Sequence, residues 1–217
     1  MKDKNLIKHL YNMDDLSYNI EEVKRWFNDN GDYTHNVTYD LNESSTIMDL
    51  GGYTGSWCHY MVEKYNPNVY VLEPIPQFYE IIKNKFKNND KVRCMCSGVS
   101  VENKFGELYV LGDATSSNQT NGDLIKVDFK TIETILTEFK LDSVDVLQIN
   151  IEGDEYPLLE YMLQNGSINK FKNIQIQFHL GVENCFDRRD KIRDGLIKNN
   201  FKLNFDYPFV WESWCKI

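Results

Sequence analysis

Residues 46–57, which read TIMDLGGYTGSW, decide the fold predicted for this chain of 217 residues. A short apolar run ends at Asp49 and Leu50, three glycines follow within the next five residues, and a helical pattern begins after them. Glycine adopts backbone conformations that a side chain would prevent, and it allows the backbone to approach a ligand closely. The stretch therefore predicts a strand, a tight turn and a helix N-terminus, with the backbone of the turn close to a ligand.

Strand and helix patterns alternate on both sides of this turn. Strands are predicted at 46–50, 68–72, 91–96, 144–149 and 174–179. Helices are predicted at 54–65, 76–86, 130–139, 154–163 and 188–199. A hairpin-like excursion passes through 107–111, and a closing antiparallel hairpin is predicted at 201–205 and 209–214. This order predicts an α/β fold with a doubly wound, mostly parallel sheet, whose ligands bind at the carboxyl ends of the strands.

The first 44 residues are predicted to form an N-terminal helical extension to an α/β domain at 45–217, with one structural domain overall. In the helix predicted at 19–29, Asn19 resembles an N-cap and Gly31 a stop signal. The apolar side chains of this helix share one predicted face and are Ile20, Val23, Trp26 and Phe27.

The amino-acid composition limits the partners, location and metal sites that are expected for this chain. Asp and Glu number 33 against 24 Lys and Arg, which gives a net charge of −9 and argues against a nucleic-acid partner. No segment approaches the ~18 uninterrupted apolar residues of a membrane span, and no signal-peptide region is evident, so a cytoplasmic chain is expected. The five cysteines show no zinc-site spacing and are expected to be free thiols.

The glycine turn discriminates between two classes of ligand. A dinucleotide fingerprint, G-x-G-x-x-G, requires glycine at the position of Tyr53, so this chain departs from it at its centre. An acid at Asp49 suits a ligand with ammonium and sulfonium charges better than a pyrophosphate. S-adenosylmethionine is such a ligand. Glu73 ends the second strand 22 residues after Gly51, where an acid commonly binds a ribose diol.

Two neighbouring strands each carry a polar face, which is unusual in the interior of a parallel sheet. By period-2 alternation these faces comprise Gln148, Asn150 and Glu152 on one strand and Gln175, Gln177 and His179 on the other. The three glutamines are expected to hydrogen-bond one another and loop backbones. Asn150, Glu152 and His179 are expected to line a polar crevice at the strand tips, with Glu155 in the first turn of the next helix.

Together these segments resemble the FkbM family of S-adenosylmethionine-dependent methyltransferases across residues 46–179. The matching motifs, in order, are MDLGGYTGSW, VYVLEPIPQFYEII, CSGVSVENKFGELYV, VDFKTIETIL and VDVLQINIEGDEYPLLEYML. The last motif resembles the family pattern Lys-x-Asp-x-Glu-Gly-x-Glu. Here Gln148 replaces the usual Lys and Asn150 the usual Asp, and an amide cannot take up a proton as a carboxylate can.

The resemblance implies a Rossmann-like class I methyltransferase sheet and O-methylation, commonly of sugar hydroxyls on glycans or sugar conjugates. It places the donor loop at 49–55, the ribose at Glu73 and the adenine near Gly98 and Val99. The expected residues for binding S-adenosylmethionine, or its product S-adenosylhomocysteine, are Asp49, Gly51, Gly52, Tyr53, Gly55, Glu73, Pro74, Gly98, Val99 and Asn150.

A sugar hydroxyl becomes a good nucleophile only as its proton is removed, and histidine is suited to this at neutral pH. We therefore interpret His179 as the general base, with Glu152 or Glu155 orienting it or the acceptor and Asn150 completing the catalytic set. The alternative is that His179 has a purely structural role at the end of its strand, with its hydrogen bonds made within the protein. A less favoured alternative is that Mg²⁺ acidifies the acceptor hydroxyl. The donors would come from Asn150, Glu152, Asp154, Glu155 and His179, although their spacing forms no recognised metal-ligand motif.

Two other functions remain open at this level. One is methyl transfer to a phenol or carboxylate of a small molecule. The other is a non-catalytic S-adenosylmethionine-binding module, in view of Asn150.

Overall fold

The computed structural model describes residues 13–111, 114–116 and 123–217. Its helices are α1 (Met13–Asn28), α2 (Gly31–Thr34), α3 (Ser56–Tyr65), α4 (Pro76–Lys85), α5 (Ile132–Phe139), α6 (Glu155–Asn165) and α7 (Cys185–Lys198), with a 3₁₀ turn at Ser167–Lys170. Its strands are β1 (Thr46–Leu50), β2 (Asn68–Leu72), β3 (Val92–Met95), β4 (Gly98–Val99), β5 (Lys104–Leu111), β6 (Ala114–Ser116), β7 (Asp123–Lys130), β8 (Val144–Ile149), β9 (Phe171–Ile176), β10 (Phe201–Tyr207) and β11 (Trp211–Lys216).

Seven strands form the main sheet, in the order β10-β11-β9-β8-β1-β2-β3. The pairs from β9 through β3 are parallel, whereas β11 is antiparallel to both β9 and β10. This arrangement confirms the predicted α/β class, a doubly wound and mostly parallel sheet that ends in an antiparallel hairpin. In the register of the sheet, Asp49 pairs with Gln148 and Gln148 pairs with Gln175, which places three polar residues side by side at its centre.

Apolar side chains cover both faces of the sheet. Met48, Leu147 and Ile174 belong to a cluster on one face, together with residues of α5, α6 and α7. Ile47 and Val146 belong to a cluster on the other face, together with residues of α3 and α4. Both faces of a parallel sheet are normally buried in this way. Among the described residues, the tips of these strands are therefore the part of the main sheet that is left open to a ligand.

A second sheet has the order β4-β7-β5-β6 and corrects the sequence-based prediction. The predicted hairpin at 107–111 is part of the longer strand β5, which pairs antiparallel with β7. Strand β7 was not predicted, and Lys130 ends it instead of beginning the next helix. That helix, α5, begins at Ile132 after the N-cap Thr131, whose side chain accepts a hydrogen bond from the Thr134 backbone.

The N-terminal extension packs on the C-terminal hairpin. Trp26 is buried among Tyr207, Val210 and Trp211, while Ile20 and Phe27 are 53% and 69% exposed. The four apolar residues that were predicted to share one helical face therefore do not all enter the core. Helix α1 also begins before Asn19.

Gly31 begins α2 and does not simply terminate α1. A Cβ atom at Gly31 would lie 2.2 Å from the Trp26 ring, so glycine allows α2 to pack directly on this indole.

Strand β9 ends at Ile176, three residues before the predicted end at His179. Gln177 and His179 therefore lie in the segment that follows the strand, although the Gln177 backbone N–H still donates to Ile149. The helix after this segment, α7, begins at Cys185, three residues earlier than predicted. Among the described residues, no helix combines the length and the apolar character that crossing a bilayer requires.

Candidate functional site

Two cavities open at the carboxyl ends of the central strands. The first cavity has a volume of about 260 Å³ and is lined by Leu50, Gly51, Tyr53, Leu72, Glu73, Pro74, Phe78, Ser97, Gly98, Val99, Leu108, Phe129, Asn150, Ile151, Glu152 and Asp154. The second cavity has a volume of about 350 Å³ and is lined by Asp32, Tyr33, Asn36, Asp49, Gly51, Gly52, Tyr53, Ser56, Trp57, Tyr60, Gln148, Asn150 and Trp211. Gly51, Tyr53 and Asn150 line both cavities.

The glycine turn packs tightly against the end of β8. Gly51 has a φ of 88°, and a Cβ atom there would lie 2.0 Å from the Asn150 carbonyl oxygen. A Cβ atom at Gly52 would lie 2.3 Å from a Val71 methyl group. Gly55, with a φ of 71°, is the N-cap of α3 and lines neither cavity. Gly51 and Gly52 thus allow the backbone to line the site closely, whereas Gly55 shapes the entry to the helix.

Glu73 lies in the first cavity and holds the glycine turn in place. One carboxylate oxygen accepts a hydrogen bond from the Tyr53 backbone N–H at 2.7 Å, and the other accepts one from Ile75 at 2.9 Å. Burial raises the pKa of Glu73 to about 7, although these two bonds oppose the shift. Each oxygen retains acceptor capacity toward a ligand in the cavity that carries hydroxyl groups.

Asp49 is buried beside the second cavity. Its carboxylate accepts hydrogen bonds from the Cys58 thiol at 3.1 Å and the Gln148 amide at 3.4 Å. Burial raises the pKa of Asp49 to about 6 because neither neighbour compensates fully for lost hydration. An approaching cation would favour the ionised carboxylate.

The polar row at the centre of the sheet continues from Asp49 into neighbouring strands. The Gln148 carbonyl accepts a hydrogen bond from Gln175 at 3.0 Å, and Gln175 accepts one from the Tyr39 hydroxyl. The expected pairing of Gln148 with Gln175 is therefore present. Gln177 lies beyond the strand and is not part of this chain of bonds.

Asn150 ends the row where the two cavities meet. Its side-chain oxygen is buried and has no hydrogen-bond partner among the described residues. Buried polar atoms are normally paired, and this oxygen at the cavity wall has the capacity to accept a hydrogen bond from a ligand or to face its positive charge.

Gly98 and Val99 form the short strand β4 and line the first cavity beside Phe129 of β7. A Cβ atom at Gly98 would lie 2.6 Å from the Phe129 ring, so glycine permits this close packing. Pro74 lines the same cavity next to Glu73. These residues line the first cavity together with the glycine turn.

Three ionisable side chains meet beyond the tips of β8 and β9. His179 Nε2 lies 3.5 Å from a Glu152 oxygen, and His179 Nδ1 lies 3.2 Å from a Glu155 oxygen. Glu155 lines neither cavity, whereas Glu152 lines the first. Glu152 has a φ of 56°, an unusual backbone conformation for a residue with a side chain. Such strained backbone conformations cluster at functional sites, so the turn that contains Glu152 is a candidate part of the site.

Two opposing effects determine the charge of His179. Burial lowers its pKa, but hydrogen bonds and charges from Glu152 and Glu155 outweigh burial and raise it to about 9. The imidazole is thus mostly protonated at neutral pH. It is also a stronger base than an ordinary histidine once deprotonated.

The predicted donors for Mg²⁺ do not form a recognisable metal site among the described residues. Within residues 13–111, 114–116 and 123–217, no group of three or more His, Cys, Asp or Glu side chains has the arrangement of a metal site. His179 meets Glu152 and Glu155 but does not form such a group with them.

Several residues of the site escaped the sequence-based prediction. They come from the N-terminal extension and the second sheet, and include Asp32, Tyr33, Asn36 and Phe129. Only Phe129 carried a local signal, because Ile125, Val127 and Phe129 alternate along β7 as expected for a half-buried strand. The others reach the site through long-range packing.

Known structures share this fold. A fibrillarin pre-rRNA processing protein from Methanococcus jannaschii superposes with a TM-score of 0.52 at 12% identity, over 82% of this chain and 69% of that one. A candidate methyltransferase from Streptococcus mutans, solved with S-adenosylhomocysteine, gives a TM-score of 0.52 at 10% identity, over 88% and 97%. Fibrillarin from Aeropyrum pernix, solved with natively bound S-adenosylmethionine, gives 0.50 at 8% identity, over 87% and 74%. At these identities the likeness concerns the fold alone.

Sequence comparison is more specific about the family. No curated protein matches this chain. The model of the methyltransferase FkbM domain, in contrast, matches residues 49–203, which run from the acid of the glycine turn to β10 and make up more than half of the chain. This protein therefore belongs to the FkbM family of methyltransferases.

Proposed function

We propose that this protein is an S-adenosylmethionine-dependent O-methyltransferase that modifies a sugar hydroxyl of a glycan or sugar conjugate. The observation that carries the proposal is the 3.5 Å contact of His179 with Glu152, which lines the first cavity, whereas His179 itself lines neither cavity. A base paired with a carboxylate at the wall of a nucleoside-sized cavity provides the groups that activation of a hydroxyl requires.

The residues around the first cavity suit the donor. Glu73 offers carboxylate oxygens for a ribose diol, Gly98 and Val99 provide a close wall for the adenine, and Gly51 leaves room for the backbone to approach. The buried Asp49 and the unpaired Asn150 oxygen suit the positive charges of the donor. Bound S-adenosylmethionine supplies an electrophilic methyl group and leaves as S-adenosylhomocysteine.

The side chains of this protein then orient and deprotonate the acceptor. Neutral His179 accepts the proton that the acceptor hydroxyl loses as its oxygen attacks. Glu155, bonded to Nδ1, fixes the orientation of the ring, and Glu152 stabilises the imidazolium that forms. Holding the hydroxyl in line with the methyl group supplies much of the acceleration.

A radiolabelled-methyl assay against a panel of methyl glycosides tests the proposal. Transfer to a sugar hydroxyl that disappears in His179→Ala, with S-adenosylhomocysteine affinity retained, supports it. Transfer only to phenols or carboxylates would favour a small-molecule methyltransferase. Donor binding without transfer to any acceptor would favour a non-catalytic module.

Two further arms of the assay address metal and nucleic acid. Activity that survives EDTA supports the route without Mg²⁺, while loss restored by added Mg²⁺ contradicts it. Methylation of RNA in preference to glycosides would contradict the sugar acceptor. The net charge of −9 supports an acceptor other than nucleic acid.

Two further expectations stay part of the proposal. One is a cytoplasmic location, and the other is a boundary between residues 44 and 45 that separates the N-terminal helical extension from the methyltransferase domain.

A further inference from the structure

We infer that Tyr39 is a positioning residue for S-adenosylmethionine binding, and that it acts on Asp49 through a chain of hydrogen bonds that crosses the sheet. This inference rests on the proposed function, because it takes S-adenosylmethionine as the cation that Asp49 faces. Tyr39 lies in the segment between α2 and β1 and lines neither cavity. It therefore adds to the site a residue that acts from a distance.

The polar row at the centre of the sheet crosses four adjacent strands. Asp49 of β1 pairs in register with Gln148 of β8, and Gln148 pairs with Gln175 of β9. Gln175 pairs in turn with Ser213 of β11. All four residues are buried. Buried polar groups are costly unless they are paired, so the hydrogen bonds along this row determine how its side chains are oriented.

The Tyr39 hydroxyl fixes the direction of these bonds. It donates to the Gln175 carbonyl oxygen, and the Gln175 amide nitrogen donates to the Gln148 carbonyl oxygen at 3.0 Å. The Gln148 amide nitrogen is thereby directed at Asp49 and donates to its carboxylate at 3.4 Å. Every donor in the chain points toward Asp49. This direction suits an ionised carboxylate, which can only accept hydrogen bonds.

Tyr39 is suited to be the first donor of the chain. Burial raises the pKa of Tyr39 above its ordinary value, although the nearby Ser213 hydroxyl opposes the shift. The Tyr39 hydroxyl therefore keeps its proton at neutral pH. The backbone of this segment is held separately, since the Tyr39 N–H donates to the Tyr65 hydroxyl at 3.0 Å and that hydroxyl donates to the Val37 carbonyl at 3.1 Å.

The same chain has one other consistent arrangement. A protonated Asp49 is a donor, so both amides would have to turn their oxygens toward it and their nitrogens toward Tyr39. The Tyr39 hydroxyl would then accept a hydrogen bond instead of donating one. By donating to Gln175, Tyr39 stabilises the arrangement in which Asp49 is ionised. That is the form of Asp49 that favours a positively charged ligand.

Other titratable groups also surround Asp49. They are Cys58 of α3, Glu73 after β2, Cys94 of β3 and Asp32 at the wall of the second cavity. None of them takes part in the chain of hydrogen bonds from Tyr39. They are unchanged in a variant at Tyr39, so the effect of the Tyr39 hydroxyl can be measured against a constant background.

The pH dependence of S-adenosylmethionine binding tests the inference. Calorimetric titrations between about pH 5 and 9 would compare the wild type with Tyr39→Phe, which lacks only the hydroxyl. Without this donor the ionised form of Asp49 is less favoured, so the pH at which affinity reaches half of its plateau should rise by about 0.5 to 1 unit. Affinity should fall about threefold to tenfold near pH 6 and stay within about twofold of the wild type near pH 8.5.

Tyr65→Phe is the matched control. Tyr65 holds the backbone of the same segment but takes no part in the chain that leads to Asp49. Its loss should leave the midpoint pH of binding within about 0.2 unit of the wild type. Equal shifts in Tyr65→Phe and Tyr39→Phe, or a loss of affinity in Tyr39→Phe that is the same at every pH, would assign Tyr39 a merely structural role and overturn the inference.

Two further variants locate the effect. Gln175→Met interrupts the chain and keeps the Tyr39 hydroxyl, so it should raise the midpoint pH in the same direction. If Tyr39→Phe does not fold, the direction of the Gln175→Met shift decides. In an Asp49→Asn background, Tyr39→Phe should change affinity near pH 6 by less than about twofold, because the two residues act as one unit. An undiminished loss in that background, or no shift in Gln175→Met, would overturn the inference.

Failure of this inference is distinguishable from failure of the proposed function. S-adenosylmethionine binding whose midpoint pH is the same in the wild type and Tyr39→Phe would leave the proposed methyltransferase intact and remove only the role of Tyr39. A wild-type protein that binds no S-adenosylmethionine at any pH would contradict the proposed function itself.

Discussion

Glu155 accepts hydrogen bonds from the backbone N–H of His179 at 2.7 Å and from the His179 imidazole at 3.2 Å through a single carboxylate oxygen. Its other oxygen accepts from the Gly153 backbone N–H at 2.8 Å. The Glu155 side chain is 0% exposed, so a buried carboxylate joins the turn after β8 to the segment after β9. The acid–base pair of the site is thus assembled by a residue that lines neither cavity.

Replacing this carboxylate should weaken the whole fold. We expect Glu155→Gln to lower the free energy of unfolding by about 2 kcal/mol. In the wild type both carboxylate oxygens accept from backbone N–H groups, whereas in the variant the amide nitrogen would face one of these donors and could not accept from it. Urea unfolding at neutral pH measures this. Glu160→Gln on the same helix is the control, since Glu160 forms an exposed ion pair with Arg188 and should change stability by less than about 0.5 kcal/mol. Equal effects of the two changes would contradict the joining role of Glu155.

The raised pKa of His179 predicts the pH dependence of methyl transfer. If neutral His179 is the base, kcat should rise about tenfold per pH unit below the pKa of about 9 and level off above it. Glu152→Gln removes one group that raises this pKa, so the inflection should move to lower pH. Rates with a saturating glycoside acceptor between pH 6 and 10 measure both profiles. An inflection that stays in place in Glu152→Gln, or a flat wild-type profile, would remove His179 from the base role.

The raised pKa of His179 also makes the free energy of unfolding depend on pH. A folded-state pKa above the unfolded value means that protonated His179 stabilises the fold fully below about pH 6.5. This contribution is lost as pH rises toward 9. Unfolding measurements across that window would therefore show a falling stability that His179→Gln removes.

Gly51 and Gly166 provide a matched pair for testing the glycine turn. Both have a positive φ, 88° and 82°, but only Gly51 has a neighbour where a Cβ atom would lie, at 2.0 Å from the Asn150 carbonyl. Gly166→Ala should cost about 1 kcal/mol from backbone strain. Gly51→Ala should cost at least about 2 kcal/mol more and weaken S-adenosylhomocysteine binding, since the turn and the end of β8 must separate. Thermal unfolding and calorimetry compare the two, and similar stability losses with intact donor binding would argue against close packing at Gly51.

The parts of the fold that follow from local patterns were predictable. The glycine turn and Glu73 were identified from spacing alone, and both line the first cavity. The pairing of Gln148 with Gln175 follows from period-2 alternation on two adjacent parallel strands, and the register places them side by side. In these cases the chain order determines the neighbours.

Residues that depend on long-range packing were not predictable. Helix α1 places only part of its apolar stripe in the core, because Trp26 packs on the C-terminal hairpin while Phe27 remains exposed. Asn36 reaches the second cavity through this same packing, and no local pattern marks it. Strand β7 was missed although its alternation was present. His179 was placed on the correct side of the sheet but on the strand itself, because an alternating sequence does not show where backbone pairing stops.

Binding of the donor should itself depend on pH. Burial raises the pKa of Asp49 to about 6 and of Glu73 to about 7, so both carboxyls are protonated in acid solution more readily than usual. A ligand that brings a cation to Asp49 and hydroxyl donors to Glu73 favours the ionised forms. Binding should therefore release protons, and S-adenosylmethionine affinity should rise with pH through the window from about 5 to 7.

Calorimetry in two buffers of different ionisation enthalpy measures the proton release directly, while titrations at several pH values give the affinity. In the wild type, affinity should change by up to about tenfold per pH unit for each proton released. Asp49→Asn, which is neutral at every pH, should bind the donor more weakly at pH 8 and flatten the dependence between pH 5 and 7. S-adenosylhomocysteine lacks the sulfonium charge, so its affinity should depend less on pH than that of S-adenosylmethionine. Identical pH profiles for the two ligands would show that the sulfonium is not sensed by these carboxylates.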